Sequence, residues 1–239
     1  MIPYGRQWID EDDVEAVVSV LRSDWLTTGP NVAVFENAVA AEVKMNNAVA
    51  VSSGTAALHA AVYAIGIRPG DEVIIPCMTF AATANSVVFQ GGIPVFADVD
   101  AETLLINPAD VESKITTKTK AIIAVDYAGQ PCDYDTLRDL AKKHNLTLIA
   151  DACHSLGATY KGLPAASCAD LAVFSFHPVK HITTGEGGMV LTNNSDLAQK
   201  MRLFRNHGIS TDHSQRMALG SWFYEMTDLG FNYRITDFQ

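Results

Sequence analysis

Ala48-Val49-Ala50-Val51-Ser52-Ser53-Gly54-Thr55-Ala56-Ala57-Leu58-His59 is the stretch that decides the fold. Four apolar residues in a row suit a strand covered on both faces, because a strand with one wet face would alternate with polar residues. Ser52-Ser53-Gly54 ends that run, and residues 55–65 read as a helix. The pattern repeats along the chain. Pro69-Gly70-Asp71 turns into a strand at 72–75, a helix at 80–90 and a strand at 93–96. Residues 120–125, 146–150, 171–174 and 188–192 read as further strands. Residues 134–144 and 195–206 read as helices, with Ser195 as N-cap of the second. Upstream, 10–21 and 32–43 read as helices around the loop Thr27-Thr28-Gly29-Pro30. Strands alternating with helices at this spacing predict an α/β fold, with a mostly parallel sheet and helices on both faces. One domain over residues 1–239 is expected, with a helical segment at about 1–45.

The 239 residues suffice for one large α/β domain with a substantial core or for two small domains. Hydrophobic residues at 48% and charged residues at 18% are ordinary for a soluble globular chain. A net charge of −10 argues against nucleic acid or an anionic membrane as partner. A small anionic ligand stays allowed, since a pocket sets its own local field. Cys77, Cys132, Cys153 and Cys168 show no CxxC spacing, and Met1-Ile2-Pro3-Tyr4-Gly5-Arg6 lacks an apolar signal core. Reduced thiols in a cytoplasmic protein are expected. No apolar run approaches the roughly 20 residues that span a bilayer.

In such sheets ligands bind beyond the carboxyl ends of the strands. Polar clusters fall at five of those ends: Ser52-Ser53-Gly54-Thr55, Pro76-Cys77-Met78-Thr79-Phe80, Asp126-Tyr127-Ala128-Gly129, Asp151-Ala152-Cys153-His154 and Ser175-Phe176-His177. Taken singly, each has a plain structural reading. Ser53 or Thr55 would cap a helix, Asp151 would cap another, Phe80 would sit in the core and Lys180 would be a solvated surface lysine. Taken together they suggest a chemical site. A helix N-terminus after Ser53-Gly54-Thr55 suits a phosphate. A strand-end carboxylate at Asp151 suits a protonated ring nitrogen, and Lys180 suits a Schiff base. Those are the two protein groups that a pyridoxal phosphate enzyme needs most. Phe80, opening a helix beside them, could stack on a flat ring. His177 and His181 flank Lys180, but their spacing to His154 and Asp151 matches no zinc pattern, so no metal is expected. The chain has no G-x-x-x-x-G-K-[ST], G-x-G-x-x-G or G-x-S-x-G, which removes the anchors of P-loop, dinucleotide and serine-hydrolase readings.

The assembled segments resemble the DegT/DnrJ/EryC1/StrS family of pyridoxal phosphate-dependent nucleotide-sugar aminotransferases. The matching stretches are Thr27-Thr28-Gly29-Pro30, Ser52 through His59, Thr79-Phe80-Ala81-Ala82-Thr83-Ala84-Asn85, Asp126-Tyr127-Ala128-Gly129, Asp151 through Ala158, Ser175-Phe176-His177 with Lys180, Gly185-Glu186-Gly187-Gly188 and Gly230-Phe231-Asn232-Tyr233-Arg234. The resemblance implies the large domain of a fold-type I enzyme. It implies that Lys180 carries the cofactor and shuttles the proton, and that Asp151 pairs with the ring nitrogen. Gly54, Thr55, Ala56 and Ser175 would hold the phosphate, Phe80 would stack on the ring, and His154 would lie beside it. Asn232 would reach the phosphate of a partner subunit, so a homodimer with a shared site is implied. Thr28, Gly29 and Tyr127 would face the sugar. Glutamate would give its amino group, leaving as 2-oxoglutarate, to the 4-keto carbon of a nucleotide-linked deoxysugar.

Val125-Asp126-Tyr127-Ala128-Gly129, Phe204-Arg205-Asn206-His207-Gly208 and the run Leu229 to Arg234 are most similar to the pseudaminic acid branch of the family, which implies a UDP-linked sugar. Family chains usually continue into a smaller C-terminal domain. This chain stops at Gln239, in what reads as a helix start, and is expected to lack that domain, with apolar surface exposed where it would pack. Two other readings stay open. One is a dehydratase of the same family, in which histidine replaces the lysine, with His181 next door. The other is a catalytically impaired fragment or a non-catalytic binding protein.

Overall fold

The computed structural model describes residues 5–210, 220 and 222–239. Residues 1–4 of the N-terminal segment lie outside it. α1 (Glu11–Leu21) is capped by Asp10, and α2 (Pro30–Glu42) starts on a proline at N1. Then come β1 (Asn47–Val51), α3 (Gly54–Ala64), β2 (Glu72–Pro76), α4 (Ala81–Phe89), β3 (Ile93–Ala97), α5 (Pro108–Lys114) and β4 (Thr119–Val125). α6 (Tyr134–His144), β5 (Thr147–Asp151), the hairpin β6 (Thr159–Tyr160) and β7 (Leu163–Pro164), β8 (Leu171–Ser175), β9 (Gly188–Thr192) and α7 (Ser195–Phe204) follow.

Seven strands form one sheet in the order β1-β9-β8-β5-β4-β2-β3. All of its pairings are parallel except those of β9, which runs antiparallel to both β1 and β8. The uninterrupted apolar runs have the expected cause, because side chains leave alternate faces and both faces are buried. Ala48, Ala50, Ile122, Ala124, Leu148 and Ala150 join the core under α2, α5 and α6. Val49, Val51, Ala121, Ile123 and Ile149 join the core under α3, α4 and α7. β3 is an edge strand with Pro94 in it, where a missing N–H costs no ladder bond.

Four local expectations change. The cap of α7 is Asn194, whose side-chain oxygen accepts from the Asp196 and Leu197 N–H groups, one residue before the expected Ser195. Asp151 caps no helix; it is the last residue of β5, and a turn follows. No helix forms at the chain end, where Gln239 Oε1 accepts from Thr236 N–H and Oγ1–H at 3.0 and 2.8 Å. α5 was not foreseen, although Asn107-Pro108 is a cap followed by proline at N1. No helix among the described residues is long and apolar enough to cross a membrane.

Candidate active site

The carboxyl ends of β1 and β8 meet because β9 lies between them: Gly188 is in register with both Val51 and Ser175. A Cβ on Gly188 would lie 2.3 Å from the Ser53 carbonyl oxygen, and one on Gly54 would lie 2.9 Å from Ser175 Cβ. Two glycines therefore let the turn into α3 nest against Ser175. Ser53 is the N-cap of α3, and its Oγ accepts from Ala56 N–H at 3.1 Å. The Ala56 donor is thus satisfied inside the protein. The N–H groups of Gly54 and Thr55, the first two residues of α3, have no acceptor among the described residues. They stand at the positive end of an 11-residue helix, an arrangement that suits a phosphate.

Asp151 ends β5, 6% exposed. Its Oδ2 accepts from Thr83 Oγ1–H at 3.0 Å and its Oδ1 from Cys153 N–H at 3.4 Å. Its carbonyl accepts from Asp126 N–H at 3.1 Å. Asp126 is fully buried, and its carboxylate is held by Ser155 Oγ (2.6 Å), Tyr134 OH (2.8 Å) and Cys132 N–H (3.0 Å). Burial raises the Asp126 pKa against the pull of those three donors. This network fixes the loop that carries Asp151 and His154. Asp126 stood in one of the five strand-end clusters and Thr83 in a family-matching stretch, but neither had a role of its own in the sequence. Besides that stretch, Thr83 had one weak signal: it lies one helical turn past Thr79, on the face that turns out to be buried.

Lys180 ends the turn 177–180, closing it with its own N–H on the His177 carbonyl at 2.9 Å. Its side chain is half-buried and has no ion-pair partner among the described residues. Burial first and the Lys180 ammonium second hold His154 below its usual pKa, which keeps the ring neutral at neutral pH. Burial drives the Cys153 thiol far up; Asp151 adds to that and Lys180 opposes it. Lys180 is therefore electrostatically close to the loop that begins at Asp151. His177 and His181 are exposed on the same turn. Phe80 is not a core residue. It sits just ahead of α4 with 77% of its surface exposed, as a ring-stacking face would be.

Other expected positions are less closely gathered. Asn232 is exposed, in a bridge with Asn206, and the adjacent Tyr233 carbonyl accepts from Ser52 N–H at 2.8 Å. Tyr127 is half-buried against the core. Gly29 has a structural role: its N–H donates to Asp237 Oδ2 at 2.6 Å, and a Cβ there would lie 2.6 Å from Trp25 Cβ. Thr28 and Gly29 line a cleft of about 1190 Å³ together with Glu36, Arg202, Arg205 and Arg234. That cleft shares no lining residue with Lys180, Asp151, Ser175 or the 53–55 turn. Its size does not make it the chemical centre, because Arg205 is paired with Glu36 and Arg234 donates to Asn206.

An anion cradle of helix N–H groups, a carboxylate fed by neutral donors, an exposed aromatic face and an amine converging on one sheet edge fit pyridoxal phosphate. With this topology they define the cofactor-binding large domain of a fold-type I enzyme. The chain belongs to the DegT/DnrJ/EryC1/StrS aminotransferase family, whose profile matches residues 7–239. An uncharacterized protein of Methanocaldococcus jannaschii is 44% identical over 239 residues, all of this chain and 62% of that one. The spore coat polysaccharide biosynthesis protein SpsC of Bacillus subtilis is 42% identical over all of this chain and 61% of its own length. Among solved structures, the putative sugar aminotransferase Spr1654 of Streptococcus pneumoniae in its PMP form superposes with a TM-score of 0.94 at 34% identity, over 100% of this chain and 65% of that one. Helicobacter pylori PseC, an aminotransferase of pseudaminic acid biosynthesis, gives 0.91 at 35% identity over 99% and 62%. DesI, solved in the presence of its TDP-sugar product, gives 0.85 at 36% identity over 98% and 57%. The chain thus spans less than two thirds of the length of these relatives.

Proposed function

We propose that this chain is the cofactor-binding part of a pyridoxal phosphate-dependent aminotransferase that moves an amino group from glutamate to the 4-keto carbon of a nucleotide-linked 6-deoxysugar. The observation that carries this reading is the convergence of Lys180, Asp151 and the Gly54–Thr55 N–H groups on one sheet edge. The cofactor, when bound, supplies an electron-withdrawing ring that accommodates negative charge at an adjacent carbon. With the cofactor bound, Asp151 would hold the ring nitrogen in its protonated form, because a buried carboxylate favours a cation beside it. Gly54, Thr55 and Ser175 would anchor the phosphate, and Phe80 would cover one ring face. Lys180 would carry the cofactor and, once released from it, would serve as the base at the donor α-carbon and as the acid at the sugar carbon. His154 would lie uncharged beside the ring. Asn232, exposed next to the site, reaches into the site of a second copy, with Tyr127 toward the sugar.

The likeness to PseC supports the pseudaminic acid branch, for which the sequence resemblance implies a UDP-linked sugar, and the likeness to SpsC supports polysaccharide biosynthesis as the setting. Adding pyridoxal phosphate to the chain should give a visible absorbance band that borohydride fixes to the peptide containing Lys180. Lys180→Ala should lose both band and label; a labelled Lys180→Ala protein would defeat the assignment. With full-length protein and glutamate, UDP-4-keto sugars should be aminated. Turnover of TDP-linked sugars alone, as the likeness to DesI would suggest, would refute the UDP branch.

A further inference from the structure

We propose that Thr83 is a positioning residue for Asp151, supplied with its proton direction by Thr79. Thr83 is completely buried on α4, and its Oγ1 lies 3.0 Å from Asp151 Oδ2 and 2.8 Å from Thr79 Oγ1. An ionised carboxylate only accepts, so the single hydroxyl proton of Thr83 points to Asp151. Thr83 Oγ1 can then only accept from Thr79, whose proton has no other direction within the relay. The chain therefore runs one way, from Thr79 through Thr83 to Asp151. It delivers a neutral donor to a carboxylate with little water around it. A positive donor there would compete with a ring nitrogen for the same charge; a hydroxyl orients the carboxylate and leaves its charge for the ring.

The same helix turn also links two walls of the site. Thr83 N–H donates to the Phe80 carbonyl at 3.1 Å, so the exposed Phe80 ring and the hydroxyl on Asp151 are fixed by one backbone turn. Thr79 is half-buried at the end of the relay nearer solvent. This inference rests on the reading of Asp151 as the partner of the cofactor's ring nitrogen.

The test compares Thr83→Val, which keeps the shape and removes the donor, with Thr83→Ser, which keeps the donor. Pyridoxal phosphate is titrated into each while the visible band and its pH dependence are recorded, and the unfolding of each cofactor-free chain serves as control. Thr83→Val should bind the cofactor roughly tenfold more weakly, since hydrogen bonds to charged groups are among the stronger ones, and should shift the pH midpoint of the band. Thr83→Ser should restore both. If Thr83→Val does not fold, Thr79→Val breaks the relay at its outer end and should move both readouts in the same direction. Thr83→Val indistinguishable from wild type, or Thr83→Ser as weak as Thr83→Val, overturns the relay and leaves the functional reading intact. A wild-type chain that forms no band overturns that reading and the relay with it.

Discussion

Gly188 shows how little room the site leaves at the level of one atom. It belongs to β9, with β1 and β8 on either side, and the atoms a methyl group would strike are the Ser53 carbonyl carbon and oxygen, 2.4 and 2.3 Å away. Both are backbone atoms, which cannot swing aside as a side chain can. Gly188→Ala should therefore push the 53–54 turn off Ser175. Overpacking of this kind costs about 1–3 kcal/mol. For a chain of this size that is a fall in Tm of roughly 3–10 °C, read by thermal unfolding, with weaker pyridoxal phosphate binding in the same protein. The Gly185-Glu186-Gly187-Gly188 run was visible in the sequence as a family motif. The reason for its last glycine was not, because the contact spans 135 positions of chain.

Among the elements, β1 is exposed to a familiar hazard. It is the last strand of the sheet, so the outer N–H and C=O of alternate residues have no ladder partner. Side chains supply the partners. Glu36 Oε1 of α2 accepts from Ala50 N–H at 2.8 Å, and Arg205 Nη1 donates to the Ala50 carbonyl at 2.7 Å. Arg205 also pairs with Glu36 at 2.5 Å, both side chains being largely buried, and Arg202 Nη2 reaches the Ala48 carbonyl at 3.3 Å. The pair thus acts as an artificial neighbouring strand for the element that leads into the phosphate turn. Removing one partner leaves the other charge largely buried and unpaired. Glu36→Ala should cost about 3 kcal/mol in urea unfolding, toward the lower end for a buried pair because some exposure remains. Glu36→Gln keeps an acceptor for Ala50 N–H and should cost less. Equal losses in the two variants would show that the charge, rather than the edge bond, carries the effect. Strand and helix limits were legible to within a residue or two because propensity and turn residues are local. The direction of β9 was not, since a short strand around Met189-Val190-Leu191 reads the same in either orientation.

For the whole molecule, the C-terminal segment is held to the sheet through His59. This histidine is 2% exposed on α3, among the rings of Phe89, Phe204 and Phe231. Its Nδ1 lies 3.1 Å from Tyr233 OH and its Nε2 2.7 Å from Gln90 Nε2, so α3, the end of α4 and residues 229–234 share one polar anchor. Burial lowers the His59 pKa from 6.5 to about 4. The unfolded chain then binds a proton that the native chain refuses between those two values. The His59 contribution to stability is whole above pH 6.5 and declines as the pH falls toward 4. Urea midpoints measured from pH 7 to pH 4 should fall more steeply for wild type than for His59→Gln, although the variant starts lower. Asp126, raised by burial, acts in the opposite sense and is common to both proteins, so the difference between their slopes isolates His59. Parallel slopes would refute the anchor's protonation. Apolar side chains are exposed at this scale: α1 buries no residue, and Trp8 and Trp222 are 82% and 87% exposed.

The sequence by itself determined the α/β class, the positions of all but α5 and the β6–β7 hairpin among its strands and helices, and the polar clusters at the strand ends. Those are fixed by neighbours a few residues apart: apolar runs, turn glycines and helix caps. Lys180 and Asp151 could be nominated from it because their residue types limit the chemistry they perform. Only the tertiary structure decided that Thr83 feeds Asp151, that the Ala56 N–H is already spent on Ser53, and that Gly29 serves the packing around Asp237. It also turned Phe80 outward and placed Glu36 and Arg205 on the edge of β1. Each of these depends on which distant segment fills the space beside a residue, and that is set by the packing of the whole sheet.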